Sequence, residues 1–121
     1  MAATNDSYDD RMVALIASRL LPGLQAVWDD GTSQTFDLDG GAYLQWAKWP
    51  AGIQIECSSN QFLPEEQRLT FAQRRTLAEL GFESPVDEWP NYYRRFERRE
   101  DLPCAAKVLA RVAVEVFGYR A

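Results

Sequence analysis

Between Asp39 and Ser58 the chain has room for little except antiparallel strands. Ile53, Ile55 and Cys57 alternate strictly with Gln54, Glu56 and Ser58, the period of two expected of a strand with one face in a core. Just upstream, Trp49-Pro50-Ala51-Gly52 is a turn signal. Before it, Tyr43 to Lys48 sets Leu44 and Trp46 on one face, and Tyr43 and Gln45 on the other. Asp39-Gly40-Gly41 marks a further turn. Strands joined by turns this short must be antiparallel neighbours, because a parallel pair needs a crossover of about a dozen residues or more.

The pattern extends in both directions. Thr32 to Leu38 alternates loosely, with Phe36 and Leu38 on one face. Asp29-Asp30-Gly31 reads as a hairpin turn, and Leu24 to Trp28 as a strand with apolar residues on both faces. Upstream, Tyr8, Met12, Leu15, Ile16 and Arg19 or Leu20 follow helical spacing, with Ser7 as cap, Asp9 and Asp10 in the first turn, and Pro22-Gly23 as the end. Residues 1–7 are expected to be a disordered start, and residues 8–119 a single domain.

Downstream, Thr70 and Gln73 carry the spacing of a capping box, and the helix they open runs to Leu80. Gly81 takes the left-handed position after that helix, and Phe82 the apolar contact beyond it. Asn91 to Phe96 is a fifth strand. Asp101 caps a last helix that has Pro103 in its first turn and Ala105, Val108, Leu109, Val112 and Val116 in one apolar stripe, widened by Ala106, Ala113 and Phe117. The expected fold is α+β: an antiparallel sheet of about five strands with helices packed on it, in the order α-β-β-β-β-α-β-α. The last helix is expected to cross the sheet or to form a dimer seam.

Charge and residue chemistry narrow the function. The 121 residues hold 18 acids against 13 bases, a formal charge of −5. General attraction to nucleic acid or anionic lipid is therefore not expected. Arg94, Arg95, Arg98 and Arg99 form a basic cluster beside two tyrosines, the pattern of a single-strand platform, but Glu97, Glu100 and Asp101 interrupt it, and local ion pairing accounts for it. No run approaches the roughly 20 apolar residues of a membrane span. The opening MAATNDSYDD lacks the basic and apolar regions of a secretory signal, so a cytoplasmic location is expected.

The chain has no histidine, which removes the commonest general base and metal ligand. Cys57 and Cys104 belong to no CxxC pair and read as small buried apolar side chains, with Cys104, near a helix start, the single thiol candidate for chemistry. Asp29-Asp30 and Asp37-Asp39 match turn chemistry and fall short of a calcium loop, and no glycine-rich phosphate signature occurs. No catalytic residue, metal or cofactor is expected.

Aromatic residues are the remaining signal. Trp46, Trp49, Trp89, Tyr92 and Tyr93 either build the core or line an apolar groove that grips a peptide segment of another protein. Trp49, in a turn beside Pro50, is the ring that most needs a neighbour to cover it. Phe62 and Leu63, with Pro64, form an apolar loop that serves as a binding lip or tucks beneath the sheet. The alternative to a peptide-binding module is a homodimeric structural or regulatory protein joined through the last helix.

Three segments carry a resemblance. Gly52 to Leu63 (GIQIECSSNQFL), Leu77 to Pro85 (LAELGFESP), and Pro90-Asn91-Tyr92-Tyr93 followed by a helix ending Val116-Phe117-Gly118 resemble, in order and spacing, TY-Chap domains of the type III secretion chaperone and YbjN-like superfamily, as seen in actinobacterial proteins. The likeness spans roughly Tyr8 to Tyr119. It implies a secretion-chaperone-like fold, a peptide-binding or chaperone-like role and no catalysis, and it transfers no catalytic residues.

Overall fold

The structure, a computed structural model, describes residues 8–87 and 89–120. The expected disordered start over residues 1–7, and the Ser7 cap within it, lie outside the described residues. Three helices and four strands follow in the order α1 (Tyr8–Asp30), β1 (Ser33–Asp37), β2 (Tyr43–Trp49), β3 (Gly52–Cys57), α2 (Phe71–Glu79), β4 (Tyr92–Phe96) and α3 (Leu102–Arg111). The strands form one antiparallel sheet in the order β1-β2-β3-β4.

The α+β class holds, with four strands where about five were expected. The difference lies at Leu24–Trp28, which is the second half of α1. Ile16, Leu20, Leu24 and Val27 are all buried and continue one helical face past Pro22. An interior proline costs about 3 kcal/mol, whereas burying Leu24 and Val27 returns about 1.5–3 kcal/mol each. Packing therefore carries the helix through the proline, whose ring faces solvent. Gly31, at φ 74°, then ends the helix and leads into β1, so Asp29-Asp30-Gly31 is a helix terminus and no hairpin. Leu15, expected on the apolar side, faces water.

The local signals of the central hairpin match the structure. Trp49 pairs with Gly52 across the turn, and Leu44, Trp46, Ile53, Ile55 and Cys57 are buried on one face of the sheet. The first and last strands add Phe36, partly buried, and Phe96, buried, to the same side. Helix α1 lies against this face: a methyl group placed on Gly23 would sit 3.0 Å from Trp46 Cζ2. The Lys48 ammonium lies 3.9 Å from the Trp28 ring centroid and ties the end of α1 to β2.

Helix α3 packs on α1 and continues into a wider π-type turn, Val112–Val116. All five residues of its expected stripe are buried, as are Ala106 and Ala113, so the helix spends its apolar surface inside one chain. Cys104 and Lys107 lie off that stripe and face solvent; of the two thiols only Cys57 is buried, which corrects the expectation for Cys104. Asp101 precedes the helix without capping it, because its carboxylate accepts from Arg98 Nε and Nη2 instead, each at 3.4 Å.

Helix α2 is held at both ends. Thr70 Oγ1 accepts from the Gln73 N–H at 3.1 Å, and Gln73 Oε1 accepts from the Thr70 N–H at 2.7 Å, completing the capping box. Gln73 Nε2 also donates to the Val116 carbonyl at 2.7 Å. At the other end the Gly81 N–H reaches Ala78 O and the Phe82 N–H reaches Leu77 O, both at 3.0 Å. That is a Schellman ending, with Gly81 at φ 88° and the apolar Leu77 and Phe82 buried behind it.

Candidate open-face aromatic site

Residues paired across antiparallel strands share a face. Trp49, Gln54, Glu56, Tyr93 and Arg95 therefore stand together on the side of the sheet away from α1. Here polar residues on β3 are not simply solvated, as the alternation suggested: Gln54 is only 3% exposed, and Ser58 is fully buried. Ser58 instead extends the β2–β3 ladder, its N–H donating to Tyr43 O and its Oγ accepting from the Tyr43 N–H, both at 3.1 Å.

Arg95 is the centre of the open face. Its guanidinium carbon lies 3.8 Å from the Trp49 ring centroid, 5.2 Å from Tyr93 and 5.4 Å from Trp89. Trp89 reaches the sheet from a tight turn in which Val86 and Trp89 exchange backbone hydrogen bonds, and that turn is fastened where Ser59 Oγ donates to the Pro90 carbonyl at 2.7 Å. Its ring tilts against Tyr93 at 6.3 Å. Stacked contacts of this kind contribute about 0.5–2 kcal/mol each, more as water is excluded.

A chain of side-chain hydrogen bonds runs on from Arg95. Arg95 Nε donates to Gln54 Oε1 at 2.8 Å, and Gln54 Nε2 donates to Glu56 Oε2 at 2.8 Å. Asn91 Nδ2 donates to Glu56 Oε1 at 3.1 Å, and the Tyr43 hydroxyl donates to Asn91 Oδ1 at 3.3 Å. The network explains how the buried amides of Gln54 and Asn91 are tolerated. It also fixes the guanidinium in its aromatic frame through Nε.

Of the seven ring and loop residues expected to bind peptide, the structure brings Trp49, Trp89 and Tyr93 together around Arg95. Trp46 is 3% exposed, in the core under α1, its indole N–H without a hydrogen-bond partner among the described residues. Leu63 is buried, whereas Phe62 beside it is 44% exposed, so the apolar loop divides between core and surface. Tyr92 pairs with Cys57 and therefore faces the opposite side from Tyr93.

Sequence reasoning placed Arg95 in a basic cluster and overlooked Gln54, Glu56, Asn91 and Tyr43. The available signal was the period of two along Tyr93 and Arg95, but the cross-strand register that joins them to Gln54 and Trp49 is not local. The cluster itself disperses. Arg94 Nη1 donates to the Leu80 carbonyl at 2.7 Å, Arg98 pairs with Asp101, and Arg99 Nη2 pairs with Asp29 Oδ2 at 3.2 Å. Burial pushes the Cys57 thiol far above its usual range, with a smaller contribution from Glu56, so it remains a protonated core side chain. Among the described residues no group of three or more Cys, Asp or Glu could hold a metal ion, and no helix is long and apolar enough to cross a membrane.

A family model described as T3SS (YopN, CesT) and YbjN peptide-binding chaperone 3, TY-Chap3, matches residues 10–121. The chain belongs to this family. The TY-Chap resemblance drawn from the three sequence segments is thereby established over nearly the whole chain. No curated protein and no solved structure matches. TY-Chap3 membership makes this a chaperone-like domain of a peptide-binding family.

Proposed function

We propose that this TY-Chap3 domain is a non-enzymatic, cytoplasmic peptide-binding module that holds an extended segment of another protein across the open face of β2, β3 and β4. Trp49, Trp89 and Tyr93 supply ring area at low entropic cost, and Arg95 donates to backbone carbonyls or a carboxylate of the segment. The observation that carries this reading is an arginine framed by three rings on a solvent-facing sheet surface and locked there by Gln54. A guanidinium and rings already held in place lose little freedom on binding.

The alternative, a homodimer joined through α3, draws no support from this surface, because the apolar stripe of α3 is buried within one chain.

Panning a displayed peptide library on the immobilised domain tests the proposal. The parent chain should enrich a family of sequences, and a Trp49→Ala, Trp89→Ala double variant that retains the parent's circular dichroism should not. Equal enrichment by parent and variant overturns the site, and the absence of any enriched sequence overturns the function.

A further inference from the structure

A second surface lies on the other side of β4. A groove of about 470 Å³ opens between α2 and the sheet, its lining including Phe71, Arg74, Arg75, Ala78, Phe82 and Tyr92. Phe71, Arg74, Arg75 and Ala78 recur at intervals of three, four and seven residues, which puts them on one side of α2. The floor is apolar, since Phe82 is buried and Tyr92 is half-buried. Burial raises the Tyr92 phenol and Arg74 opposes that rise, so the two groups sense each other across the groove.

Two features of this groove are out of keeping with a finished surface. Phe71 is 73% exposed, the most open large apolar side chain among the described residues. Arg74 has no carboxylate partner among the described residues, and Arg75 meets only Glu79, at 3.6 Å in a pair that is largely solvated on both sides. Such a pair contributes under about 1 kcal/mol. The chain as a whole carries a formal charge of −5, so these cations attract acid locally while the rest of the surface repels it.

We propose that the groove between α2 and β4 docks an acidic segment of a partner protein, seating a bulky apolar side chain against Phe71 and Phe82 and placing carboxylates on Arg74 and Arg75. The proposal rests on the peptide-binding reading and uses a surface separate from the Arg95 face. Apolar anchoring supplies the affinity, and the arginines select acid over base by direct charge complementarity. Arginine suits this role because its planar fork binds a carboxylate through two donors at once.

The test uses the full chain and a fluorescein-labelled peptide built of glutamates with a leucine or phenylalanine at every fourth position, alongside the same peptide with lysine for glutamate. Fluorescence anisotropy should show the acidic peptide binding at least about tenfold more tightly than the lysine peptide, and added salt should weaken it. Arg74→Glu should weaken it a further tenfold or about that, and Phe71→Ser by a similar factor. Arg74→Glu places an acid in the first turn of α2, where the helix dipole favours it, and Arg74→Gln provides a neutral second variant that should fall between the two. Lys107→Ala, which removes an exposed cation of α3 outside both surfaces, should leave this binding unchanged.

Equal binding of the two peptides, or no binding of either, overturns the groove. So does loss of the acidic peptide in Arg95→Ala with retention in Arg74→Glu, a result that would place acid on the open face and leave the function intact. A parent chain that sediments as a dimer, and returns to monomer in Arg74→Glu, would give the groove to a second copy and also overturn the proposal. Equal enrichment by parent and double variant in the library panning, with success here, would reject the Arg95 face alone.

Discussion

The two faces of β4 are made from nearly the same material and reach opposite ends. The run Tyr92-Tyr93-Arg94-Arg95 sends one tyrosine and one arginine to each side. On the side of α1, Arg94 is consumed by structure: it donates to the Leu80 carbonyl at the end of α2 and lies 4.6 Å from the Phe96 ring. On the other side Arg95 meets, among the described residues, three rings and an amide, all partly open to solvent except Gln54. The comparison shows that residue type does not decide whether an arginine stabilises the fold or serves a surface. The deciding quantity is what lies opposite, backbone carbonyl and core on one face, adaptable rings and water on the other.

Substitutions graded by depth sharpen that contrast. The largest effect is expected from Val112→Glu, which puts a charge among fully buried side chains of α3; the loss should exceed about 4 kcal/mol, seen as absence of a cooperative unfolding transition. A shift to a folded monomer from a dimer would contradict the burial of that stripe. Next, Ile55→Ala on the covered face should cost about 2–5 kcal/mol in urea denaturation, against about 1–3 kcal/mol for Gln54→Ala on the neighbouring strand position that faces Arg95.

The covered face also carries the pH dependence. Because burial holds the Cys57 thiol protonated in the folded chain, its contribution is fully present below the unfolded thiol value near 8.5 and is lost as pH rises above it. Stability should fall by about 2 kcal/mol between pH 8 and 10, and Cys57→Ala, though less stable at neutral pH, should lose that share of the alkaline slope. The smallest effect belongs to the open face: Trp49→Ala should change stability by under about 1 kcal/mol while removing peptide enrichment. A large stability loss there would mean that Trp49 serves the fold.

What could be read from the chain followed the range of the interactions. The β2–β3 hairpin, the Thr70–Gln73 box and the Gly81 ending are set by residues within a few positions of one another, and each stood in the sequence as it stands in the structure. The path of α1 did not, because Leu24 to Trp28 is apolar on both faces, and a short run of that kind fits a strand as well as a helix until its packing partner is known. The rings of the open face were visible as residues. Their assembly around Arg95 depends on the β3–β4 register and on the turn that delivers Trp89, both contacts between distant parts of the chain.

The double fastening of α2 has its own consequence. Within its nine residues only Leu77 is fully enclosed, and a helix of that length is marginal by itself in water. It persists because Gln73 is moored to Val116 at one end and Arg94 holds the Leu80 carbonyl at the other. Such an element detaches as a unit when either mooring slips, well before the sheet opens. Amide hydrogen exchange should therefore show α2 as a separate low-protection block, faster again in Arg94→Ala, and the wall of the arginine-lined groove would be the part of this molecule that breathes.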